Sequence, residues 1–205
     1  MFLGVVFMKY KINFIQLSEV LDKSKIIHDF LNIAKSAKFS TDYDDMYNHI
    51  FGSNKLQLCV IVDEKKIIRG FATYEHYTKE NLVYIQGIII EKSFQGKGGS
   101  KNLIHEIIKK TQCDYVMCRT HNPRIYELFE NISSKIHPDL FEWQITSKVK
   151  ELTSLTKDTI NDNEKLIVID AYPDEKIQQK IKNKKIYEYF SQIGKRNAQV
   201  IIIEC

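Results

Sequence analysis

The chain has 205 residues, of which 43% are hydrophobic and 27% are charged, and its formal net charge at pH 7 is +4. This is an ordinary globular composition, which argues against a disordered or fibrous chain, and a core of this size is stable without metals or disulfides. The mild positive charge permits an anionic ligand but gives little support for nucleic acid as a partner.

Cysteine and histidine usage indicates a reducing compartment and no metal. The four cysteines show no CxxC spacing and two lie in apolar runs, which predicts buried free thiols. The six histidines are scattered without an HExxH motif, so we predict no metal site. The opening stretch MFLGVVFMKY lacks the features of a signal peptide, and no stretch has the ~18 apolar residues of a membrane span. We therefore expect a cytoplasmic protein without a membrane partner, in which residues 1–8 could be an extension before a start at Met8.

The first half of the chain reads as one strand, two helices and a meander. Alternating apolar residues predict a strand at Tyr10–Leu17, and helical spacing predicts a helix from Ser18 to about Ala37. A second helix is predicted from Asp42 to Phe51, ending at Gly52. Three apolar runs separated by polar turns then predict an antiparallel meander: Leu56–Asp63, Lys66–Tyr77 and Leu82–Ile90.

The second half alternates helices and strands. Asn122 suits a helix N-cap and Pro123 the first helical position, which places a helix from Asn122 to Ile132. The other predicted helices end near Thr111, cover Trp143–Leu155 and cover Glu175–Gln192, and the other predicted strands are Asp114–Thr120, Lys165–Tyr172 and Ala198–Glu204. The order predicts a single α/β domain over residues 1–205, with a mixed, partly antiparallel sheet flanked by helices and an extra helix between the last two strands.

Three of the eight glycines cluster in QGKGGS, between the third meander strand and the following helix. Backbone amides and the helix dipole at such a point favour an anion. A nucleotide P-loop is excluded because Glu91 stands at its first glycine and Gly98 at its Ser/Thr position. A dinucleotide fingerprint is excluded because Lys101 replaces its third glycine and because the three strands of the meander come before it, whereas a dinucleotide fold normally opens with this motif. A plain turn needs only one glycine.

The stretch from Gln95 to Ser100 resembles the Q/R-x-x-G-x-G/A loop of the GCN5-related N-acetyltransferases (GNAT family), with Gln95 and Gly98 matching and Ser100 in the last small position. The predicted element order from Tyr10 to Ile132 is also similar to that of the family. A second segment, RTHNPRIYELF, resembles the family's N-x-x-A-x-x-L-Y helix. Asn122 and Leu128 match it, whereas Ile125 replaces the alanine and Phe129 the tyrosine.

The resemblance implies acetyl-CoA as co-substrate and direct transfer of its acetyl group to an amine, without an acyl-enzyme. It implies that the pyrophosphate is held by the loop, that the pantetheine arm is held by the main chain of Ile88 and Ile90, and that Asn122 belongs to the second cofactor segment. The Ile90 amide is the candidate for stabilising charge on the thioester oxygen. The implied loop residues are Gln95, Gly96, Lys97, Gly98, Gly99 and Ser100.

Proton transfer is harder to assign. The family's acid tyrosine falls on Phe129, and Tyr126 lies on the same helix face, where it could substitute or simply pack. The glutamate that some members use as a base falls on Tyr84. Other candidates for the base are Gln86, Glu75, His76 and His121.

The acceptor is the least defined feature. The stretch with Asp42, Tyr43, Asp44, Asp45 and Tyr47 would suit a cationic amine, although aspartate also caps helices. Two alternatives to an amine acetyltransferase stay open: a GNAT-like domain that binds coenzyme A as a sensor or scaffold, and a toxin-like enzyme acetylating a charged tRNA. The C-terminal strand could pair between subunits, which leaves a homodimer open.

Overall fold

The computed structural model describes residues 10–39, 41–139, 146–155, 166–171, 181–194 and 196–205. The chain forms two compact units, Met1–Glu75 with Gln86–Lys110 and His76–Ile85 with Thr111–Cys205, called here the first and the second unit. The third and fourth strands run through both units. Whether the units act as one domain, as the sequence predicts, stays a prediction.

The first unit is a sheet with two helices before its second strand and one after its fourth. Its elements are β1 (Tyr10–Ile15), α1 (Lys23–Ser36), α2 (Tyr43–Phe51), β2 (Leu56–Asp63), the main part of β3 (Ile68–Tyr77), the end of β4 (Leu82–Ile90) and most of α3 (Gly99–Thr111). The strand order is β1-β2-β3-β4, and β2 pairs antiparallel with both β1 and β3. The predicted meander is therefore present.

The core of the first unit lies under α1 and α2. Phe30 and Phe71 are fully buried and stacked, with ring centroids 4.1 Å apart, and Met46 and Ile50 of α2 join the same cluster. Two aspartates define where these helices begin, since Asp22 and Asp42 each accept a backbone hydrogen bond three residues on, at 2.8 Å. Hence α1 begins five residues later than predicted, and a short 3-10 turn precedes it.

The second unit has a parallel strand pair at its centre. Its elements are the start of β4, β5 (Tyr115–Thr120), α4 (Pro123–Glu130), β6 (Ile136–His137), α5 (Ser147–Thr153), β7 (Ile167–Val168), α6 (Lys184–Gln192) and β8 (Ala198–Glu204). The start of β4 pairs parallel with β5, β5 pairs antiparallel with β8, and β6 and β7 both pair with β8. A cluster that includes Leu82, Met117, Leu152 and Ile202 forms a core.

The predicted mixed α/β class, with its partly antiparallel sheet and its extra helix before the last strand, is confirmed. The sequence missed β6, and β7 is shorter than the predicted strand. The predictions on residues 1–8, on the start of the Trp143–Leu155 helix and on the first part of the Glu175–Gln192 helix lie outside the described residues. Within the described ranges, no helix is long and apolar enough to span a membrane.

Candidate functional site

The glycine loop adopts a conformation that requires glycine. Gly96 and Gly98 have φ values of +73° and +79°, the left-handed region that L side chains rarely adopt. A Cβ atom built on either residue meets no atom within 4 Å. Glycine is therefore needed for the backbone and not to relieve crowding, and the loop presents an open face on which a ligand can approach the main chain.

The loop leads directly into the N-terminus of α3. The Asn102 amide donates to the Gly98 carbonyl at 2.9 Å, so the helix begins at Gly99. The first amides of a helix have no carbonyl partner within that helix. In α3 these include the amides of Gly99 and Ser100, and the helix dipole adds positive potential at the same end. Gly99 is buried, and a Cβ there would lie 2.9 Å from Ile61 Cδ1. The geometry fits a phosphate-containing group at this helix end.

Two predicted ligand side chains hold the loop in place. The Gln95 carboxamide donates to the Ile90 carbonyl at 3.0 Å, which ties the loop to the end of β4. The Lys97 ammonium donates to the Ser93 carbonyl at 2.6 Å and lies 5.3 Å from the Phe94 ring centroid. The structure thus gives both side chains a positioning role. Their predicted contact with a cofactor stays a prediction.

Arg69 of β3 anchors the entrance to the loop, which the sequence did not reveal. Its guanidinium donates to Asp63 Oδ2 at 2.9 Å and to Glu91 Oε2 at 2.7 Å. The Ser93 hydroxyl donates to the other Glu91 oxygen at 2.6 Å, and Arg69 lies 5.4 Å from the centre of the Phe94 ring. An arginine within an apolar strand was the available signal. The network joins β2, β3 and the start of the loop.

Acid should weaken this network. The Ile67 amide and Arg69 hold the pKa of Asp63 below its ordinary value. Burial opposes ionisation of Glu91, but the hydrogen bonds from Ser93 and Arg69 outweigh it and lower its pKa as well. Groups with lowered folded-state pKa values contribute stability above their unfolded pKa, about 4, and lose it as the pH falls through the folded value.

We therefore expect the melting temperature to fall as the pH is lowered from about 5 to about 3. Calorimetry of the wild type and of the Asp63→Asn, Glu91→Gln double variant tests this. The variant should show the shallower pH dependence, because it lacks both carboxyl groups. Equal slopes would contradict the assignment.

The sequence also did not reveal the contact of His49 with Thr73 and Gly87 in the first unit. His49 Nε2, near the end of α2, lies 3.0 Å from the Thr73 hydroxyl of β3. A Cβ on Gly87 of β4 would lie 2.9 Å from the same nitrogen, so the glycine leaves room for the ring. Burial lowers the pKa of His49. Two signals were available: His49 follows buried Met46 at helical spacing, and an isolated glycine within a strand indicates close approach.

Two of the predicted alternatives for the base lie together on β3 and β4. The Gln86 carboxamide donates to Glu75 Oε1 at 2.8 Å, and Glu75 is only 9% exposed. The carboxylate is thus a buried hydrogen-bond acceptor and not a solvated surface group.

Asn122, Tyr84 and Tyr126 lie in the second unit, whereas Ile88, Ile90 and the glycine loop lie in the first. Asn122 caps α4, because its side chain accepts the Arg124 amide at 3.0 Å. Tyr84 is half-buried and packs against the core of the second unit. Phe129, at the position of the family's tyrosine, is fully buried.

Tyr126 has a structural hydrogen bond. Its hydroxyl donates to the Pro138 carbonyl at 3.0 Å, and its ring, 1% exposed, lies edge-on to Phe190 with centroids 6.2 Å apart. To protonate a leaving thiolate, the hydroxyl would have to give up this bond. Its role as an acid stays a prediction.

Replacing Tyr126 with phenylalanine distinguishes the two roles. We expect the free energy of unfolding to fall by about 1 kcal/mol, with more if the Pro138 carbonyl stays unpaired, because a buried hydrogen bond is lost. The turnover number should stay within about twofold. Urea denaturation and steady-state kinetics measure both. A tenfold loss of turnover at unchanged stability would instead identify Tyr126 as the acid.

The acidic and aromatic stretch of α2 has structural contacts of its own. Asp42 is the helix cap, as the alternative prediction held. Tyr43 stacks on Tyr47 with centroids 6.3 Å apart, and Tyr47 packs against Phe51 at 5.3 Å. Asp44 and Asp45 are exposed in the first turn of α2, where their negative charges interact favourably with the positive end of the helix dipole.

The sequence of the chain matches a known protein family over the part that contains the glycine loop. Residues 25–133, more than half of the chain, match the acetyltransferase (GNAT) family. The chain belongs to the GNAT family. The match includes both the glycine loop and the Asn122 segment. No curated protein sequence matches the chain.

Solved structures show the same fold. The ribosomal-protein-S18-alanine N-acetyltransferase of Escherichia coli aligns with a TM-score of 0.58 at 10% identity, over 96% of this chain and 94% of that one. Tetrahymena GCN5 aligns with a TM-score of 0.56 at 11% identity, over 73% and 89%. A Bacillus subtilis acetyltransferase in complex with CoA aligns with a TM-score of 0.53 at 14% identity, over 96% and 99%. At such identities the likeness extends to the GNAT fold and not to the acceptor.

Proposed function

We propose that this GNAT protein is an N-acetyltransferase that transfers the acetyl group of acetyl-CoA to a primary amine by direct attack. The observation that carries the proposal is the open, left-handed glycine loop at the start of α3, where main-chain amides can reach a pyrophosphate. Acetyl-CoA supplies a thioester whose carbonyl carbon an amine can attack. Membership of the GNAT family supports the same reading.

The chain's own groups have distinct tasks in this proposal. The amides from Gly96 to Ser100 bind the pyrophosphate, and Lys97 adds a nearby positive charge. The main chain of Ile88 and Ile90 holds the pantetheine arm, with Asn122 in the second cofactor segment. The Ile90 amide donates to the thioester oxygen as negative charge develops there, which stabilises the transition state more than the ground state.

The proposed leaving group, the thiolate of coenzyme A, needs little help from an acid. A thiolate is a tolerable leaving group, so protonation can follow departure. Tyr126 is the proposed donor if one is needed, and Tyr84 occupies the position of the family's base on β4. Acetyl-CoA and an amine are the proposed partners, in the cytoplasm, and a homodimer is the proposed assembly. The predicted pairing of the C-terminal strand between subunits is wrong, because β8 lies inside the sheet and already pairs with β5, β6 and β7.

A panel of amines tests the function. Purified protein and acetyl-CoA are combined with each amine of a set: polyamines, peptides with a free amino terminus and small primary amines. A colorimetric reagent follows the release of the thiol. We expect release that depends on one class of amine and a product that is heavier by one acetyl group in mass spectrometry. Absence of binding to acetyl-CoA at millimolar concentration would refute the function.

A second candidate, a coenzyme A sensor or scaffold with little turnover, is favoured by two observations. Phe129 has no hydroxyl, and the Tyr126 hydroxyl donates to Pro138. Binding of coenzyme A without thiol release from acetyl-CoA across the whole panel would identify this case.

A further inference from the structure

We propose that His49 takes the proton from the ammonium form of the acceptor, which frees the amine to attack, and that Thr73 holds the imidazole in position for this. The inference rests on the proposed function and adds the base that the sequence did not identify. It concerns three residues of the first unit, His49 on α2, Thr73 on β3 and Gly87 on β4.

The ring lies against the strand that holds the proposed cofactor site. Gly87 immediately precedes Ile88, whose main chain is the proposed start of the pantetheine contact. The ring edge of His49 occupies the space that a side chain at position 87 would take, since a Cβ there would be 2.9 Å from Nε2 and 3.5 Å from Cε1. An imidazole is thus placed beside the main chain along which the thioester is proposed to lie.

Thr73 determines which nitrogen is available. Its hydroxyl is fully buried and 3.0 Å from His49 Nε2. We assign the tautomer in which Nε2–H donates to Thr73 Oγ1, which leaves the lone pair on Nδ1. Within the described residues the bond to Thr73 is the only hydrogen bond of this ring, and the residue is half-buried, not enclosed. Fixing one ring nitrogen by a hydrogen bond is how a histidine base is oriented.

The surroundings favour the neutral ring. Burial lowers the pKa of His49, so the ring is unprotonated near neutral pH and can take up a proton. The titratable groups on the neighbouring elements are Lys23, Lys25, His28, Asp29 and Lys35 on α1, Tyr43, Asp44, Asp45 and Tyr47 on α2, and Arg69, Tyr74, Glu75, His76 and Tyr77 on β3. Within the described residues none of them forms an ion pair with His49, and Glu75 accepts the Gln86 amide. The segment of β4 from Gln86 to Ile90 carries no titratable side chain.

The reaction releases one proton in total. An ammonium group gives one proton to His49 Nδ1, and the imidazolium that forms keeps its Nε2–H on Thr73. The free amine forms the carbon–nitrogen bond, the carbon–sulfur bond breaks, and its electron pair stays on sulfur. A second proton from nitrogen neutralises the thiolate, and His49 returns its proton to solvent. The net products are an amide, a thiol and one released proton.

The test combines kinetics with a titration that needs no turnover. His49→Gln and Thr73→Val are compared with the wild type and with His105→Gln, a matched change at an exposed histidine of α3. Thiol release gives kcat and KM from about pH 5 to 9, calorimetry gives the Kd for coenzyme A, and NMR of the histidine side chains follows protonation of each ring.

We expect His49→Gln to lower kcat/KM for the amine about 100-fold, the lower end of what a general base contributes. The low-pH limb of the kcat/KM profile, which reports protonation of the base, should also disappear. The Kd for coenzyme A should not change. Thr73→Val should lower kcat with little change in KM and shift the His49 titration. His105→Gln should leave all of these values as in the wild type.

Three results would overturn the inference. His49→Gln could retain kcat/KM within about threefold with the low-pH limb intact, the wild-type ring could titrate above pH 7, or Thr73→Val could leave the titration unchanged. Failure of the proposed function is distinguishable: wild type would then bind no acetyl-CoA or turn over no amine, whereas failure of the His49 assignment alone leaves an active His49→Gln variant.

Discussion

Gly98→Val is expected to lower the affinity for coenzyme A at least about 100-fold, a loss of about 2.7 kcal/mol, in a protein that still folds. Gly98 has a φ of +79°, which costs a side-chain-bearing residue about 1–2 kcal/mol and a β-branched one more. The chain can escape this strain only by turning the loop amides away from their present direction. The valine also projects into the open face where the pyrophosphate is proposed to bind. Isothermal titration calorimetry with coenzyme A measures the loss.

Gly194 provides the matched control for backbone strain. It lies in the second unit with a φ of +92°, and a Cβ there would lie 3.2 Å from Asn197 Nδ2. Gly194→Val should therefore reduce stability to a comparable or larger degree while leaving the Kd for coenzyme A unchanged. If Gly98→Val kept its affinity within about threefold, the loop would be only a turn.

The loop could be predicted because its signals are local. Glycines, the preceding apolar run and the following helical spacing all lie within one stretch of chain, and the left-handed φ values at Gly96 and Gly98 explain why glycine is needed there. The caps at Asp42 and Asn122 were predictable for the same reason, since a cap contacts an amide two or three residues away.

The contacts that complete the site are not local. Thr73 and His49 are 24 positions apart, and Arg69 and Glu91 are 22 apart. Which strand residue meets which helix residue depends on register and packing, and one sequence does not contain that pairing. The same limit applies to Tyr126, because its helix face was predictable but its bond to the Pro138 carbonyl was not.

Short strands were missed for a different reason. The two residues of β6 pair with β8, but so brief a run has no alternation that could be recognised. Conversely, the apolar run at Lys165–Tyr172 predicts a longer strand than the two residues of β7, whose pairing on β8 ends at Val168. Tertiary pairing sets the length of such edge strands.

Phe30→Ala is expected to lower the free energy of unfolding by about 3–5 kcal/mol, a large part of the total for a domain of this kind. Phe30 is fully buried in α1, and its ring stacks on Phe71 of β3 with centroids 4.1 Å apart. Truncation removes this contact and leaves a cavity under the two helices. Urea denaturation followed by circular dichroism measures the change.

The same variant tests whether the helices and the loop are independent. Met46 and Ile50 share the cluster of Phe30, so the cavity loosens the helix that carries His49. The loop, in contrast, is held by the bond of Gln95 to the Ile90 carbonyl of β4 and by Arg69 of β3. The folded fraction of Phe30→Ala should therefore bind coenzyme A with an unchanged Kd but transfer acetyl groups more slowly. Phe30→Leu, which keeps most of the volume, should cost about 1 kcal/mol and leave both values near those of the wild type. A stability loss below about 1 kcal/mol for Phe30→Ala would show that this core does not support α2.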